Sequence, residues 1–274
     1  MAGRGRGRGG LKATLLGQSS AGQLRKPGEN TPKITVKDTP KEPPKRDLAD
    51  ELSNKIKTLA LEPKPADLDE LQRISKEYST DRKKIEEIAQ IIYDRCLGDA
   101  EFSVTGADLC QKLTEIEADQ VKFRSCILKL IQRDFKEKEN IQKESKSKFI
   151  CFTSILCQLF GHIKINDVPM VPLVVPVFDC LDMLLEGGGD EIESFNMQIQ
   201  SIGILLEKYN PARMKNTLQT LRTKVISSSS SARQRCLLLE VLELQGRGWR
   251  DHDPEVARFY TDLLMDLQAT EVLE

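Results

Sequence analysis

Two histidines and seven cysteines are the residues of this chain best suited to metal binding or nucleophilic chemistry. His162 and His252 are far apart and lack the spacing of metal ligands, so we expect a helix-end residue and a loop residue, respectively. The cysteines are odd in number and scattered, with no C-x-x-C pair, and most fall on apolar helical faces. We interpret them as reduced core thiols of a cytosolic or nuclear protein.

A glycine triplet, Gly187, Gly188 and Gly189, precedes Asp190 and superficially resembles a phosphate-binding loop. It follows a helical pattern instead of a strand, and it lacks the Lys-Ser/Thr pair that holds a nucleotide and Mg²⁺. The pattern therefore favours a loop, with Asp190 capping the next helix. The many carboxylates sit beside Lys and Arg, which is typical of solvated helix faces. The sequence predicts no catalytic residue, no metal ligand and no cofactor, and so no enzyme.

The net charge of -1 conceals a basic segment attached to an acidic body. Residues 1–46 hold eleven Lys and Arg against three acids, about +8, and the remainder holds thirty against thirty-nine, about -9. The basic segment has no apolar periodicity, and we expect it to be disordered. Its GRGRGRGG tract places Arg4, Arg6 and Arg8 on a flexible backbone, where they are candidate RNA contacts. A solubilising tail without a ligand is the equally weighted alternative.

Two further features suit binding. Trp249 and Arg250 are candidate partner contacts, because Trp is enriched at interface hot spots. The favoured alternative is that the indole fills the junction between the last helices. The polar stretch from Arg133 to Lys148 is interpreted as the end of a helix and its loop; it is either a basic recognition edge or, more simply, an exposed linker.

Helices are the elements that must position these residues. The stretch from Phe149 to Leu185 is the most hydrophobic, and its two apolar helical faces flank a short polar turn, which predicts an antiparallel hairpin. Further helix pairs are predicted to start near positions 81, 120, 171 and 211, at the spacing of about 40 to 50 residues typical of HEAT and armadillo repeats. The runs IKI at 163–165 and PKITV at 32–36 are too short and isolated to predict a sheet.

The predicted fold is all-α: an α-solenoid of HEAT-like antiparallel helix hairpins, with about ten helices, preceded by a disordered basic N-terminal arm. Residues 1–46 are the Arg/Gly- and Pro-containing arm, residues 47–66 a linker with one short helix, and residues 67–270 the solenoid. The linker helix is marginal alone, and its pattern leaves open whether it docks on the body or folds on binding a partner. We expect a soluble chain without a leader or membrane partner.

Three stretches resemble a known family: FSVTGADLCQKL (102–113), DVPMVPLVVPVFDCLDMLL (167–185) and LLLEVLELQGRGW (237–249). They are similar to the middle domain of the eukaryotic translation initiation factor 4G family. The greatest similarity is to its small single-domain members, such as those that partner the histone stem-loop-binding protein or depend on the cap-binding complex. The resemblance covers residues 67–265, and it implies the same kind of solenoid.

The resemblance also implies a non-enzymatic translation adaptor that is cytoplasmic or nuclear. Such an adaptor bridges an mRNA-end-binding protein (cap-binding complex, stem-loop-binding or poly(A)-binding protein) to initiation factors or a DEAD-box helicase. The charge pattern agrees, because an acidic body suits protein partners and a basic arm suits weak RNA binding. An RNA-binding protein acting mainly through the Arg-Gly arm and a general HEAT-type scaffold stay open as alternatives. Apolar edges at solenoid ends also leave a homodimer open.

Overall fold

The computed structural model describes residues 48–271. The basic arm predicted for residues 1–46, including the run PKITV, lies outside the described residues. The division of the chain at residues 46 and 66 therefore stays a prediction.

Twelve α-helices make up most of the described part of the chain. They are α1 (Leu48–Thr58), α2 (Pro65–Tyr78), α3 (Arg82–Gly98), α4 (Ser103–Leu113), α5 (Phe123–Lys136), α6 (Lys138–Glu144), α7 (Lys146–His162), α8 (Val174–Leu185), α9 (Gly189–Tyr209), α10 (Pro211–Ile226), α11 (Ala232–Gly246) and α12 (Pro254–Glu271). Two antiparallel hairpins of two-residue strands pair β1 (Glu117–Ala118) with β2 (Val121–Lys122) and β3 (Lys164–Ile165) with β4 (Val168–Pro169). A short 3-10 helix, Val171–Leu173, leads into α8.

The helices pack in two layers. In one layer α2, α4, α7, α9 and α11 each contact the next. In the other, α1, α3 and α5 are followed by α8, α10 and α12, which pack on the first layer. The four repeating pairs begin at Arg82, Phe123, Val174 and Pro211, close to the predicted positions. This arrangement confirms the predicted all-α fold of HEAT-like hairpins.

The hairpin predicted between Phe149 and Leu185 forms the centre of the core. Every residue of α7 from Cys151 to Phe160 is buried, because helices of both layers surround it. On α8, Phe178 has no exposed surface. Burying one such aromatic side chain contributes roughly 1.5 to 3 kcal/mol to the free energy of unfolding, so this hairpin supplies much of the stability.

Several helix boundaries follow from local capping. Asp81 accepts a hydrogen bond from the Lys84 amide at 3.1 Å, and Asn210, ahead of Pro211, accepts one from the Arg213 amide at 3.1 Å. Both caps satisfy backbone donors that a helix leaves unpaired at its start. The predicted cap at Asp190 is wrong, because Gly188 is the N-cap and Asp190 is already the second residue of α9.

The polar turn within the central hairpin differs from the prediction. Lys164–Ile165 does pair, with Val168–Pro169, although the run was expected to be too short for a sheet. Asn166 and Asp167 make the pairing possible, since both adopt positive φ, at 52° and 62°. That is the conformation a tight two-residue hairpin turn requires, and Asn and Asp tolerate it better than most residues.

A further difference concerns the stretch from Arg133 to Lys148, which was interpreted as a helix end and loop. It is helical apart from short junctions, and it contains α6. Ile141 anchors this short helix by burying its side chain. The extra helix is one reason why the described residues hold twelve helices where about ten were expected.

The linker helix α1 is docked on the body. Its residues Leu52 and Ile56 have no exposed surface and pack within the core. The guanidinium of Arg95 donates to the carbonyls of Ile56 and Leu59, which lie at the end of α1. None of the helices among residues 48–271 combines the length and apolar character needed to cross a membrane.

Candidate protein-binding groove

A large, mainly apolar opening of the helical body lies between α5 and α8. α5 packs on α3 and α6, whereas α8 packs on α7 and α9, and the space between the two helices stays open. We call it the α5–α8 groove. Its volume is about 600 Å³, within the range of ligand-binding clefts. It is lined by Ser125, Leu128, Lys129, Ile131, Gln132 and Phe135 of α5, by Pro172 and Leu173 of the 3-10 helix, and by Pro176 of α8.

Prolines form the wall on the α8 side. Pro172 is the second residue of the 3-10 helix and Pro176 lies in the first turn of α8, where a backbone N–H would have no helical partner. Both positions therefore accept proline without loss of a hydrogen bond. Val171 and Val175, 44% and 54% exposed, continue the apolar surface of this segment. This wall of the groove is therefore rigid. It presents the apolar rings of the two prolines, and neither proline has a backbone N–H to donate.

The wall on the α5 side combines apolar and polar residues. Leu128 and Phe135 lie seven residues apart, which places them two turns apart on one side of the helix, and both are half-buried. Gln132 lies between them, exposed, and its side chain makes no hydrogen bond with the described residues. Ser125 and Lys129 complete the polar edge above the apolar floor.

Two lysines lie at or beside the groove. Lys129, which lines it, forms an ion pair with Glu86 of α3 at 4.0 Å, and Lys138 Nζ lies 4.5 Å from the centroid of the Phe135 ring. Among the lining residues, all of which belong to the described part of the chain, there is no Asp or Glu. The residues that line the α5–α8 groove thus contribute one cation, Lys129, which is paired with Glu86, and no acid.

A second cavity, of about 500 Å³, lies between α1 and α3 and includes Lys57 and Arg95. Arg95, a cation that lines this cavity, already has partners within the chain. The guanidinium of Arg95 stacks 3.7 Å from the centroid of the Phe102 ring while it donates to the carbonyls at the end of α1. This cavity therefore serves the docking of α1, and the α5–α8 groove is the stronger candidate binding site.

The predicted partner contacts Trp249 and Arg250 lie after α11. Trp249 is half-buried, its indole lies against Gly203 of α9, and its Nε1 donates to Glu207 Oε2 at 2.5 Å. Arg250 is exposed and donates to the carbonyl of Arg247 at 3.0 Å. The indole thus fills a junction between α9 and the end of α11, and partner contact by these residues stays a prediction. The RNA contacts predicted at Arg4, Arg6 and Arg8 lie outside the described residues.

The residues with catalytic potential are dispersed. His162 ends α7 and its Nδ1 lies 2.6 Å from Asp108 Oδ1, whereas His252 stacks on Tyr260 with ring centroids 5.5 Å apart. The two histidines therefore occupy a helix end and a loop. All seven cysteines are free and buried. In residues 48–271, no three His, Cys, Asp or Glu side chains come together as metal ligands would.

The glycine triplet leads into the start of α9, and a carboxylate of the chain itself occupies that helix N-terminus. Gly188 is the N-cap, and its amide donates to Glu191 Oε2 at 2.8 Å. Gln142 donates to the other carboxylate oxygen at 2.8 Å, and Lys146 Nζ lies 3.3 Å away. Burial opposes ionisation of Glu191, but these hydrogen bonds outweigh it and hold the pKa of the carboxyl below its usual range. The arrangement is a satisfied cap.

Comparison with known proteins identifies the family. MIF4G domain-containing protein B of Danio rerio is 32% identical over 187 residues, which make up 65% of this chain and 84% of that relative. This chain belongs to the MIF4G domain family. MIF4G denotes the middle domain of the translation initiation factor 4G family, so the similarity confirms the resemblance found in the sequence. The human MIF4G domain-containing protein is 28% identical over 190 residues, 85% of its length.

A longer relative matches a larger share of this chain than the MIF4G domain-containing proteins do. The CBP80/20-dependent translation initiation factor of Xenopus tropicalis is 29% identical over 264 residues, 93% of this chain. These residues are only 44% of that relative, so this chain spans less than half of its length. No protein-family model matches the chain.

The α5–α8 groove is the feature of the MIF4G body that the sequence did not reveal. Leu128 and Phe135 both contact the core, but each also faces the groove. The available signal was the density of prolines in an apolar segment, at Pro169, Pro172 and Pro176. Prolines at helix starts leave rigid apolar surface outside the core, and such surface marks binding sites.

Proposed function

We propose that this MIF4G-family chain is a non-enzymatic adaptor in mRNA translation. Its helical body binds a protein partner and bridges an mRNA-end-binding protein to initiation factors or a DEAD-box helicase. The observation that carries the proposal is the 32% identity to a MIF4G domain-containing protein across 84% of that relative's length. The α5–α8 groove supports it, because an open apolar cleft on a helical repeat suits a segment of another protein.

The relatives suggest which mRNA-end protein to test first. The name of one of them, CBP80/20-dependent translation initiation factor, points to the proteins of the cap-binding complex. Stem-loop-binding and poly(A)-binding proteins are the other candidates implied by the family resemblance. We propose that the protein acts in the cytoplasm, because one relative is named as a translation initiation factor, with the nucleus as a second compartment.

The basic segment adds RNA affinity in this proposal. Arg4, Arg6 and Arg8 contact phosphates and stack on bases, so binding through residues 1–46 is weak and falls steeply with salt. The acidic balance of the rest of the chain disfavours RNA binding by the body. Deleting residues 1–46 should therefore remove most RNA affinity and leave protein partners in place.

Affinity purification from RNase-treated lysate tests the adaptor proposal. The full chain is compared with a chain that lacks residues 1–46. Recovery of initiation factors, a DEAD-box helicase or an mRNA-end-binding protein by both supports binding through the body. Loss of these partners after RNase treatment, or after removal of the basic segment, means that RNA carries the association and that the RNA-binding alternative is correct.

A tethering assay tests the effect on translation. The full chain is fused to a coat protein that binds a reporter mRNA, and protein output per reporter mRNA is measured. An adaptor raises this ratio, whereas a chain with Phe178→Asp, which places an unpaired charge in the core, does not. Equal output with and without the tethered chain would contradict a role in translation.

A further inference from the structure

We propose that α12 is a detachable terminal helix: it leaves and rejoins α11 as one unit while the rest of the body stays folded, and its departure uncovers a helix-binding side of α11. The inference goes beyond the adaptor function and does not depend on it. It follows from the way α12 is attached to its neighbour.

The contact between α12 and α11 lies outside the main core. Tyr260 is the one buried side chain described in α12, and it does not belong to the continuous core cluster. Cys236 and Leu244, two buried residues of α11, lie outside that cluster as well. Among the described side chains of α12, Leu264 alone packs against the core, and it is only partly buried. Separating α12 from α11 therefore breaks a satellite contact and leaves the main core intact.

One hydrogen bond and one ring contact hold Tyr260 in place. Its hydroxyl donates to Glu243 Oε2 of α11 at 2.8 Å, and the ring of His252, from the segment before α12, lies 5.5 Å away between centroids. Burial and the Glu243 carboxylate raise the pKa of the phenol, so the hydroxyl stays protonated and able to donate. Of the side-chain hydrogen bonds described for α12, this is the one that reaches another helix. The docking of α12 thus centres on a single tyrosine.

The helix at the other end of the described body is attached differently. α1 buries Leu52 and Ile56 in the core cluster, and Arg95 donates to carbonyls at its end. α12 is longer, with 18 residues against 11, yet it buries one described side chain where α1 buries two. Local opening costs least where few apolar contacts are buried. Of these two end helices, α12 is therefore the one that opens first.

The segment that joins α11 to α12 provides the hinge. Trp249 is anchored on α9, ahead of Pro254, the first residue of α12. Residues 250–253 between them form an irregular connection, which can absorb a change of direction. The ion pair of Arg247 with Asp253 crosses this connection, but the Asp253 side chain is 72% exposed, so the pair contributes little. The junction of α9 with α11 therefore stays closed when α12 leaves.

The side of α11 that α12 covers suits another amphipathic helix. Glu243, Cys236 and Glu240 all raise the pKa of Tyr260, which places them near its ring. Their spacing of four and seven residues puts them on one side of α11. The partly buried side of α12 carries apolar residues at helical spacing: Val256, Leu263, Leu264 and Leu267. A second helix with this apolar stripe and a tyrosine therefore fits the uncovered side of α11.

Amide hydrogen exchange of the purified full chain tests the opening. The amides of α12 should exchange together and faster than those of α11 and α7, because α12 leaves alone. Tyr260→Ala should speed exchange in α12 about 10- to 100-fold, the loss expected from removing one buried side chain. Tyr260→Phe keeps the ring and removes the hydrogen bond, so it should speed exchange about threefold. Met265→Ala, at a side chain that is 65% exposed, should change nothing.

Thiol labelling gives a second readout that needs no substitution. Cys236 should react slowly in native buffer, through the open state, whereas Cys157 in the centre of the core should stay unlabelled. Mass spectrometry of the labelled chain distinguishes the two thiols. Tyr260→Ala should speed the labelling of Cys236 by the same factor as the exchange of α12, since both report one opening. Equal labelling of Cys236 and Cys157 would mean that the whole body unfolds, and it would overturn the proposal.

A fluorescent peptide of residues 254–271 tests the uncovered side of α11. Anisotropy measures its binding to the full chain, where it competes with the chain's own α12. The Tyr260→Ala chain should bind the peptide about tenfold more tightly than the parent, because the apparent affinity scales with the open fraction. The Met265→Ala chain should bind it like the parent. A peptide that itself carries Tyr260→Ala should bind neither chain.

Three further results would overturn the proposal. They are exchange of α12 as slow as that of α7, tyrosine variants that speed exchange by one common factor throughout the body, and equal binding of the peptide to the parent and Tyr260→Ala chains. If Tyr260→Ala does not fold, the parent and Tyr260→Phe supply the same comparisons. None of these measurements involves a translation factor or RNA, so their failure would leave the adaptor proposal standing. Failure to recover translation factors would equally leave the result for α12 intact.

Discussion

The indole of Trp249 lies directly on the backbone of Gly203. A Cβ atom at position 203 would come within 2.3 Å of Cζ3 of the indole, so only glycine permits this contact. Gly248 and Trp249 adopt positive φ, at 71° and 61°, and this turn after α11 directs the indole back towards α9. The hydrogen bond from Nε1 to Glu207 fixes its orientation. The turn, the glycine and the carboxylate together join α9 to the end of α11.

Replacement of Gly203 by Ala should displace this indole. The added methyl group has no free space, so we expect a loss of about 1 to 3 kcal/mol in the free energy of unfolding. Trp249 is the single tryptophan of the chain, and its emission maximum should shift to longer wavelength as the ring becomes solvated. Urea unfolding and fluorescence measure both effects.

Gly246→Ala provides the matched control for that substitution. Gly246 lies in the last turn of α11, and a Cβ there would meet no atom within 4 Å. Alanine in a helix is favoured over glycine by up to about 1 kcal/mol, so this variant should be as stable as the parent or slightly more stable. Identical emission and stability for the two variants would contradict the packing described for Trp249.

The docking of α1 should depend on Arg95. Its guanidinium donates to two carbonyls at the end of α1 and stacks on Phe102. Hydrogen bonds to a charged group contribute roughly 1.5 to 3 kcal/mol. Arg95→Ala should therefore speed amide hydrogen exchange in residues 48–58 about 10- to 100-fold while the centre of the body keeps its protection.

Arg73→Ala is the control for the docking experiment. Arg73 lies on α2, its side chain is 63% exposed, and within residues 48–271 its ion-pair partner is Glu77, one turn away. An exposed ion pair of this kind contributes little, so exchange in α1 should not change. If Arg95→Ala left the exchange of α1 at the parental rate, Leu52 and Ile56 would be sufficient to hold the helix.

The cysteine thiols should be unreactive in the folded protein. Burial raises the pKa of all seven thiols, to about 12 for Cys96 and Cys180. The reactive thiolate is therefore scarce in the folded state at pH 8. A colorimetric disulfide reagent should detect seven thiols in denaturant and almost none in native buffer. Ser228→Cys, at an exposed loop position, should add one fast-reacting thiol. A thiol of the parent protein that reacted rapidly in native buffer would contradict the burial of the cysteines.

Most of the fold was predictable because apolar spacing identifies helix faces. Phe149 and Phe178 anchor the central hairpin, and any arrangement that exposed these faces would forfeit several kcal/mol. The short helix α6 was missed because Ile141 is the one apolar residue in KENIQKE, too little for a periodic pattern. The N-terminus of α9 was misplaced because Asp190 is a strong capping residue by type, whereas Glu191 satisfies the donors from the third helical position.

The α5–α8 groove could not be predicted from the sequence, for a different reason. Periodicity shows which side of α5 is apolar, but it does not show whether a neighbouring helix covers that side. Leu128 lies more than forty residues before Pro172 in the chain. The two residues face each other across open space because of the way α6 and α7, which lie between them in the sequence, are packed. The same limit applies to Trp249, whose contact with Gly203 joins separate hairpins.

Glu191 should make the stability of the body depend on pH. Its carboxyl is 2% exposed, and the donors around it hold its pKa below the usual range. A carboxylate with a depressed folded-state pKa stabilises the fold at pH values above its unfolded-state pKa, about 4.3. That contribution is lost as the pH falls through the folded-state pKa. Glu191→Gln should therefore cost about 1 to 3 kcal/mol at pH 7, and the difference from the parent should shrink below about pH 4.

Asp190→Asn separates this effect from a general helix-dipole effect. Asp190 lies in the same first turn of α9 but is exposed. Its neutralisation should cost at most about 1 kcal/mol at pH 7, since the helix dipole alone acts on it. Urea unfolding at pH 7 and pH 4 gives the free energies for all three chains. A penalty for Glu191→Gln that stayed constant or grew at acidic pH would mean that the carboxylate is not held in its ionised form by Gly188, Gln142 and Lys146.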